Sequence, residues 1–141
     1  MLERFKATFD GAITQLLGMA IERPTSTSYL IHQAVAIADL AREQGLAHAA
    51  PVYLPYDPAI PIDKISTADS PSADSTVVRS ILGSVNYFVT MTRPDVAFAL
   101  NRLQRHAHNP KIQHLQQARH LVRYLNSTPR RGLRYTRHRD A

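Results

Sequence analysis

Five of the nine prolines in this chain fall between residues 47 and 76, as Pro51, Pro55, Pro58, Pro61 and Pro71. Proline has no backbone N–H and a fixed φ, so it interrupts both helix and sheet ladders. The stretch also contains "STADSPSADS", a run of small polar turn formers. Residues 47–76 therefore read as a long Pro/Ser-rich loop or linker, with 66–75 its most mobile part. Regular structure is confined to the segments before and after it.

In the leading segment, "LLGMAIER" and "STSYLIH" are apolar-rich runs separated by Pro24 and small polar residues, the pattern of a hairpin with a loop. "QAVAIADLAREQGL" reads as a helix with Ile37, Leu40 and Ala41 on its inner side and Gly45 as its C-terminal cap. Three helices are expected in the trailing segment. The first spans about 76–90, with Val78, Ile81, Leu82, Val85 and Phe88 at helical spacing. The second opens at Thr92, whose hydroxyl and the Asp95 carboxylate have capping-box spacing, and its stripe is Val96, Ala99, Leu100, Leu103 and Ala107. The third spans about 111–126, with Ile112, Leu115, Ala118, Leu121, Val122 and Leu125 as its stripe. "GLRYTR" follows as a short strand whose partner is expected outside this chain. The fold class is α+β and mainly helical: a short N-terminal β-hairpin, a helix, a Pro-rich loop and a three-helix bundle.

Charge is divided unevenly over these segments. Residues 1–78 carry 5 Lys+Arg and 9 Asp+Glu, and residues 79–141 carry 12 Lys+Arg and 2 Asp+Glu, within a net charge of +6. Eleven of those 12 bases are arginine, whose planar fork suits phosphate. Such a face is the footprint of a polyanion-binding surface or, with no partner, a solvated basic face. Arg102 and Arg105 lie on the outer side of the second helix with Asn101 and Phe98. Phe98 is expected to pack on a neighbouring helix; the competing reading stacks it on a base or sugar. Arg119 and Arg123 are one turn apart on the third helix, with Lys111, Gln113, Gln116 and His120 also outside its stripe.

Other chemistry is poorly served. With no cysteine, disulfides and thiolate sites are excluded. No paired carboxylates of the two-metal kind, no phosphate-binding Gly-rich loop and no nucleophile elbow occur. His106 and His108 point about 200° apart on a helix and do not readily share a metal, so with His114 and His120 they are expected to add pH-dependent positive charge. No apolar run approaches the ~20 residues of a membrane span. "MLERFKATFDG" lacks a signal-peptide h-region, and the expected location is the cytoplasm or nucleus.

Residues 78–135 carry Arg79, Ser80, Gly83, Ser84 and Tyr87, then Arg93-Pro94-Asp95, Phe98-Ala99, Leu103 and Arg105. Asn109-Pro110, His114, Ala118, Arg123-Tyr124-Leu125, Thr128, Gly132-Leu133 and Tyr135 follow. This series resembles the late part of the reverse transcriptase of copia-type LTR retrotransposons. Upstream, "FKATFDGAITQLLGMAIER" and "ADLAREQGLAHAAPVYLP" match the same family more loosely, with Phe9-Asp10-Gly11 out of step with its Asp-Leu-Gly.

The resemblance implies a palm-end, primer-grip-like unit over 1–46, a linker over 47–76, a thumb-like bundle over 77–128 and a basic tail over 129–141. That tail would lead toward an RNase H domain. Leu17, Gly18 and Met19 would sit in the hairpin that holds the primer terminus. Arg102, Arg105, Lys111, Arg119, Arg123, Arg130 and Arg131 are the candidate nucleic-acid contacts. The family's catalytic Asp motif falls upstream of this chain, so no catalytic residue, metal or cofactor is expected here, Mg²⁺ being implied only for that catalytic domain. The expected partner is an RNA/DNA hybrid or DNA duplex held without sequence preference, with a reverse-transcriptase palm domain as a further partner. A protein-docking module and an inactive remnant are the competing readings.

Overall fold

A computed structural model describes residues 12–65 and 70–138. The Phe9-Asp10-Gly11 match and part of the 66–75 stretch lie outside the described residues. The elements are β1 (Gln15–Leu16), β2 (Met19–Thr25), β3 (Ser28–His32), α1 (Ala34–Glu43), α2 (Ser75–Met91), a 3₁₀ turn (Pro94–Val96), α3 (Ala97–Gln104), α4 (Ile112–Ser127) and β4 (Leu133–Thr136). The fold is α+β: one antiparallel four-stranded sheet in the order β1-β2-β3-β4, and four helices.

Two strand expectations are corrected. The first is the partner of "GLRY". β4 pairs with β3, with Leu133 opposite Ile31 and Tyr135 opposite Tyr29, so both ends of the described chain share one sheet. Gly132 permits the approach. A Cβ there would collide with the Ile31 carbonyl. The second is Pro24, which lies within β2 rather than in the loop. The β2–β3 register shifts between Glu22 and Thr25, and the connection is Ser26-Thr27, tied by Thr25 Oγ1 to Ser28 Oγ at 2.7 Å and by Arg23 donating to the Ser26 carbonyl at 2.9 Å. A proline is tolerated in a strand where a bulge spares its missing N–H.

The helices enclose one core. Ile37 and Ala41 of α1, Val78, Ile81 and Val85 of α2, Leu100 and Leu103 of α3, and Leu121, Val122 and Leu125 of α4 are all 0–1% exposed. Helical spacing of apolar residues placed each of these on its inner face. Asp74 caps α2 by accepting from the Thr76 N–H at 2.8 Å, and Gly45 ends α1 at φ +67°.

The Thr92–Asp95 capping box does not form. Thr92 is buried and donates its hydroxyl to Gln33 Oε1 at 2.7 Å, linking α2 to the start of α1. The chain turns through Pro94–Val96 as 3₁₀ before α3 begins at Ala97. Asp95 serves the fully buried Arg93. Arg93 donates Nε and Nη2 to the two Asp95 oxygens at 3.0 Å each, and Nη1 and Nη2 to the Thr128 carbonyl and hydroxyl at 2.9 and 2.8 Å. Tyr124 donates its hydroxyl to Asp95 Oδ2 at 2.9 Å. An uncompensated charge is costly in a core, so the Asp95 carboxylate accepts from Arg93 rather than from a helix N–H.

The Pro-rich segment packs as a strap across α4. The Gln117 amide donates to the carbonyls of Asp57 and Ile60 and accepts the Asp57 N–H at 3.0 Å. His114 Nε2 meets the Ile62 carbonyl at 3.0 Å, His120 Nε2 the Leu54 carbonyl at 2.9 Å, and Arg123 Nη2 the Ala50 carbonyl at 2.8 Å. Ser127 Oγ accepts the Val52 N–H at 2.9 Å. Positions 114, 117, 120, 123 and 127 fall three or four apart on one side of α4. A chain segment without its own ladder needs partners for its backbone groups, and this polar row supplies them.

Candidate nucleic-acid interface

The basic residues divide into those engaged within the fold and those left over. Arg102 is engaged: it pairs with Asp63 and lies over the Tyr56 ring at 4.8 Å and the Phe98 ring at 5.7 Å. Arg130 pairs with Glu22, across from His32, which meets the same carboxylate at 2.9 Å. Arg131 donates to the Tyr124 hydroxyl at 2.6 Å and lies 3.7 Å from Asp95. Arg123 holds the strap at Ala50. Four of the seven candidate contacts thus have a place inside the fold that the sequence reading did not anticipate. The acidic partners of Arg102 and Arg130 come from the leading half of the chain and that of Arg131, Asp95, from the α2–α3 corner.

Arg105 and Arg119 make no side-chain hydrogen bond or ion pair among the described residues, and Lys111 reaches only Ser72 Oγ at 3.5 Å. Gln113 and His120, also expected to face outward, bind Ser70 Oγ and the Leu54 carbonyl instead. Gln116 remains exposed. Phe98 does not pack on a neighbouring helix: it is 71% exposed, because the adjacent helices already fill the inner side of α3.

Leu17 and Gly18 form a two-residue hairpin turn between β1 and β2, with φ of 52° and 77°, and Met19 opens β2. The Tyr87 hydroxyl of α2 donates to the Leu17 carbonyl at 2.8 Å, and the Leu17 side chain is 70% exposed at the tip.

Two of the histidines lie against each other. His106 and His114 stack with ring centroids 4.3 Å apart and planes 16° from parallel. His114 Nδ1 accepts the Lys111 N–H at 2.8 Å, which caps α4 and requires the neutral ring. Burial, assisted by the charges of Arg105, His108 and Arg102, holds His106 below the ordinary histidine range. Burial also lowers His114 against the opposing pull of the Ile62 carbonyl. Both rings therefore take up a proton less readily than an ordinary histidine. Among the described residues no three His, Asp or Glu side chains converge as metal ligands. No helix among them is long and apolar enough to cross a membrane.

Arg93 and Gln117 are the important side chains the sequence reading passed over. Arg93 stands two residues from Asp95, a local pairing signal. Gln117 and His114 interrupt the apolar face of α4 at helical spacing, which marks a polar row facing backbone rather than water.

With this geometry in place, comparison with known proteins identifies a class. The chain is 32% identical over 131 residues to the retrovirus-related Pol polyprotein from transposon RE1 of Arabidopsis thaliana, covering 93% of this chain and 9% of that protein. It is 30% identical over 131 residues to the Pol polyprotein from transposon RE2 of the same plant, with the same coverage. A secreted RxLR effector protein 161 of Plasmopara viticola is 40% identical over 58 residues, 41% of each chain. The chain is thus homologous to a segment of retrotransposon Pol polyproteins, and it spans about 9% of the length of the RE1 and RE2 polyproteins. No family model matches it, and no solved structure does.

Proposed function

We propose that this chain is a non-catalytic segment of a copia-type reverse transcriptase, with the α3–α4 side holding template–primer nucleic acid through its phosphates. The observation that carries this reading is Arg105 and Arg119, with Lys111 between them in sequence: among the described residues the two arginines have no side-chain partner and Lys111 reaches only Ser72, while Arg42, Arg93, Arg102, Arg130 and Arg131 are ion-paired. Phe98, exposed with Arg102 over its ring, supplies an aromatic edge for a base or sugar. Backbone contacts of this kind position a duplex without reading its sequence. The parent activity would be RNA-directed DNA synthesis, with the Mg²⁺ chemistry in another part of the polyprotein and the location cytoplasmic or nuclear. Leu17, Gly18 and Met19, at a pinned and exposed hairpin tip, suit a primer-grip role.

Fluorescence-anisotropy binding to a short RNA/DNA hybrid tests the reading. With three or four phosphates neutralised, log K falls against log salt with a slope of about −3 to −4, equally for unrelated sequences. Salt-independent or sequence-selective binding refutes it.

One observation favours docking on a palm domain as a second role. The sheet face carrying Ile21, Ile31, Tyr29 and Tyr135 is only partly covered, and Tyr29 and Tyr135 are 45% and 57% exposed on paired strands. Concentration-dependent self-association of the isolated chain, relieved by Tyr135→Lys, is the expected sign of such a face.

A further inference from the structure

The strap does more than cover α4; it builds a concave wall beside it. A recess of about 450 Å³ opens between the strap and the α1 end on one side and α4 on the other, with Gln116, Arg119, His120 and Arg123 along the helix. We propose that this recess is a phosphate-binding subsite centred on Arg119. The inference rests on the nucleic-acid reading and adds to it a particular group, a particular place and a role for the Pro-rich strap.

The donor inventory carries the argument. Arg119 is partly buried and uses none of its five N–H groups on the described protein. Arg123 is one turn further on, and its Nε and Nη2 are both held by the Ala50 carbonyl, so its guanidinium is oriented in advance with Nη1 to spare. His120 is likewise fixed through Nε2 on the Leu54 carbonyl. Gln116 adds an exposed amide N–H₂ one turn before His120. The one carboxylate lining the recess, Asp57, is turned to its own loop: Oδ1 accepts the Ala59 N–H at 2.9 Å. A planar fork with free donors, one helical turn from a second, prepositioned guanidinium, is suited to take a tetrahedral oxyanion with two or more charge-assisted bonds. The strap fixes two of the three basic side chains, so binding is expected to order it further.

The test uses the full chain and reads the arginine Nε–H resonances by ¹H–¹⁵N NMR during titration with inorganic phosphate, with sodium chloride at matched ionic strength, and with a short RNA/DNA hybrid. Anisotropy titrations of Arg119→Ala, Arg119→Lys and Arg105→Ala run alongside, with each variant's melting temperature recorded. The Arg119 resonance is expected to shift with phosphate and with hybrid but not with chloride. Arg119→Ala should flatten the salt slope by about 0.9, the loss of one phosphate contact, without a change in melting temperature. Arg119→Lys should recover part of the affinity, as a point charge without the fork.

An Arg119 resonance that ignores phosphate and hybrid, in a chain that still binds hybrid with a steep salt slope, overturns the subsite and leaves the wider nucleic-acid reading standing. A shift with phosphate in a chain that does not bind hybrid upholds the recess as a free-phosphate site and overturns the nucleic-acid reading. An equal shift with chloride overturns the subsite, because the recess then responds only to ionic strength. The NMR arm uses the unsubstituted chain, so a variant that fails to fold leaves the test intact.

Discussion

Asp95→Ala is the most informative single perturbation of this fold. The Arg93 side chain is 0% exposed, and Asp95 is the carboxylate that balances its charge. After the substitution the guanidinium keeps the two Thr128 acceptors, and Arg131, now 3.7 Å from where the carboxylate was, adds a second uncompensated cation. Removing one partner from a buried pair costs about 3–5 kcal/mol. The Asp95 side chain is 30% exposed, so water reaches part of the site and the lower end applies, ~3 kcal/mol. For a chain of this length the unfolding entropy converts that loss into a melting temperature lower by about 10 °C. Urea denaturation followed by circular dichroism measures it directly. A double-mutant cycle with Arg93→Met should show strong coupling, the pair costing less than the sum of its parts. If Asp95 served instead as a helix cap, its loss would cost ~1 kcal/mol and couple to Thr92 rather than to Arg93. A cost that small, or an uncoupled one, refutes the clamp.

Further outcomes follow from named contacts. His106 and His114 both hold fewer protons folded than unfolded, so stability is full above the unfolded histidine range near pH 6.5 and declines as pH falls below it; a flat urea midpoint from about pH 7.5 to 5 would contradict this. At lower pH a second decline is expected through Asp95, where burial raises the carboxyl but the Arg93 hydrogen bond and charge, with Tyr124, outweigh it and hold it below its usual range. Gly132→Ala should release β4 from β3 and expose the Ile31 and Leu133 amides to hydrogen exchange, whereas Gly45→Ala, strained by φ alone with open space around it, should cost only about 1 kcal/mol. Gln117→Ala removes three hydrogen bonds to the strap and should raise exchange at Asp57 selectively, leaving the α2 amides protected; unchanged exchange there would deny the strap its anchor.

Periodicity alone located the helical core. Val78, Ile81, Leu82, Val85 and Phe88 recur at helical spacing because an amphipathic helix must turn one face inward, and all five are buried. The α+β class and the cap at Gly45 were legible for the same reason: each depends on residues adjacent in the chain, whereas the turn at Leu17-Gly18 breaks a run that reads as one strand. Charge asymmetry was equally visible as a sum.

Tertiary structure decided where that charge goes. Arg102 meets Asp63, Arg130 meets Glu22, and Arg123 meets the Ala50 carbonyl, partners 39, 108 and 73 residues away that no local pattern announces. Strand β4 found β3 across roughly the length of the chain, and the prolines that break helices left a segment several of whose backbone groups pair with the polar row of α4. Sequence specifies propensity and amphipathic face because those act over a few residues; pairing of charge and of backbone groups is settled by which surfaces meet when the core closes.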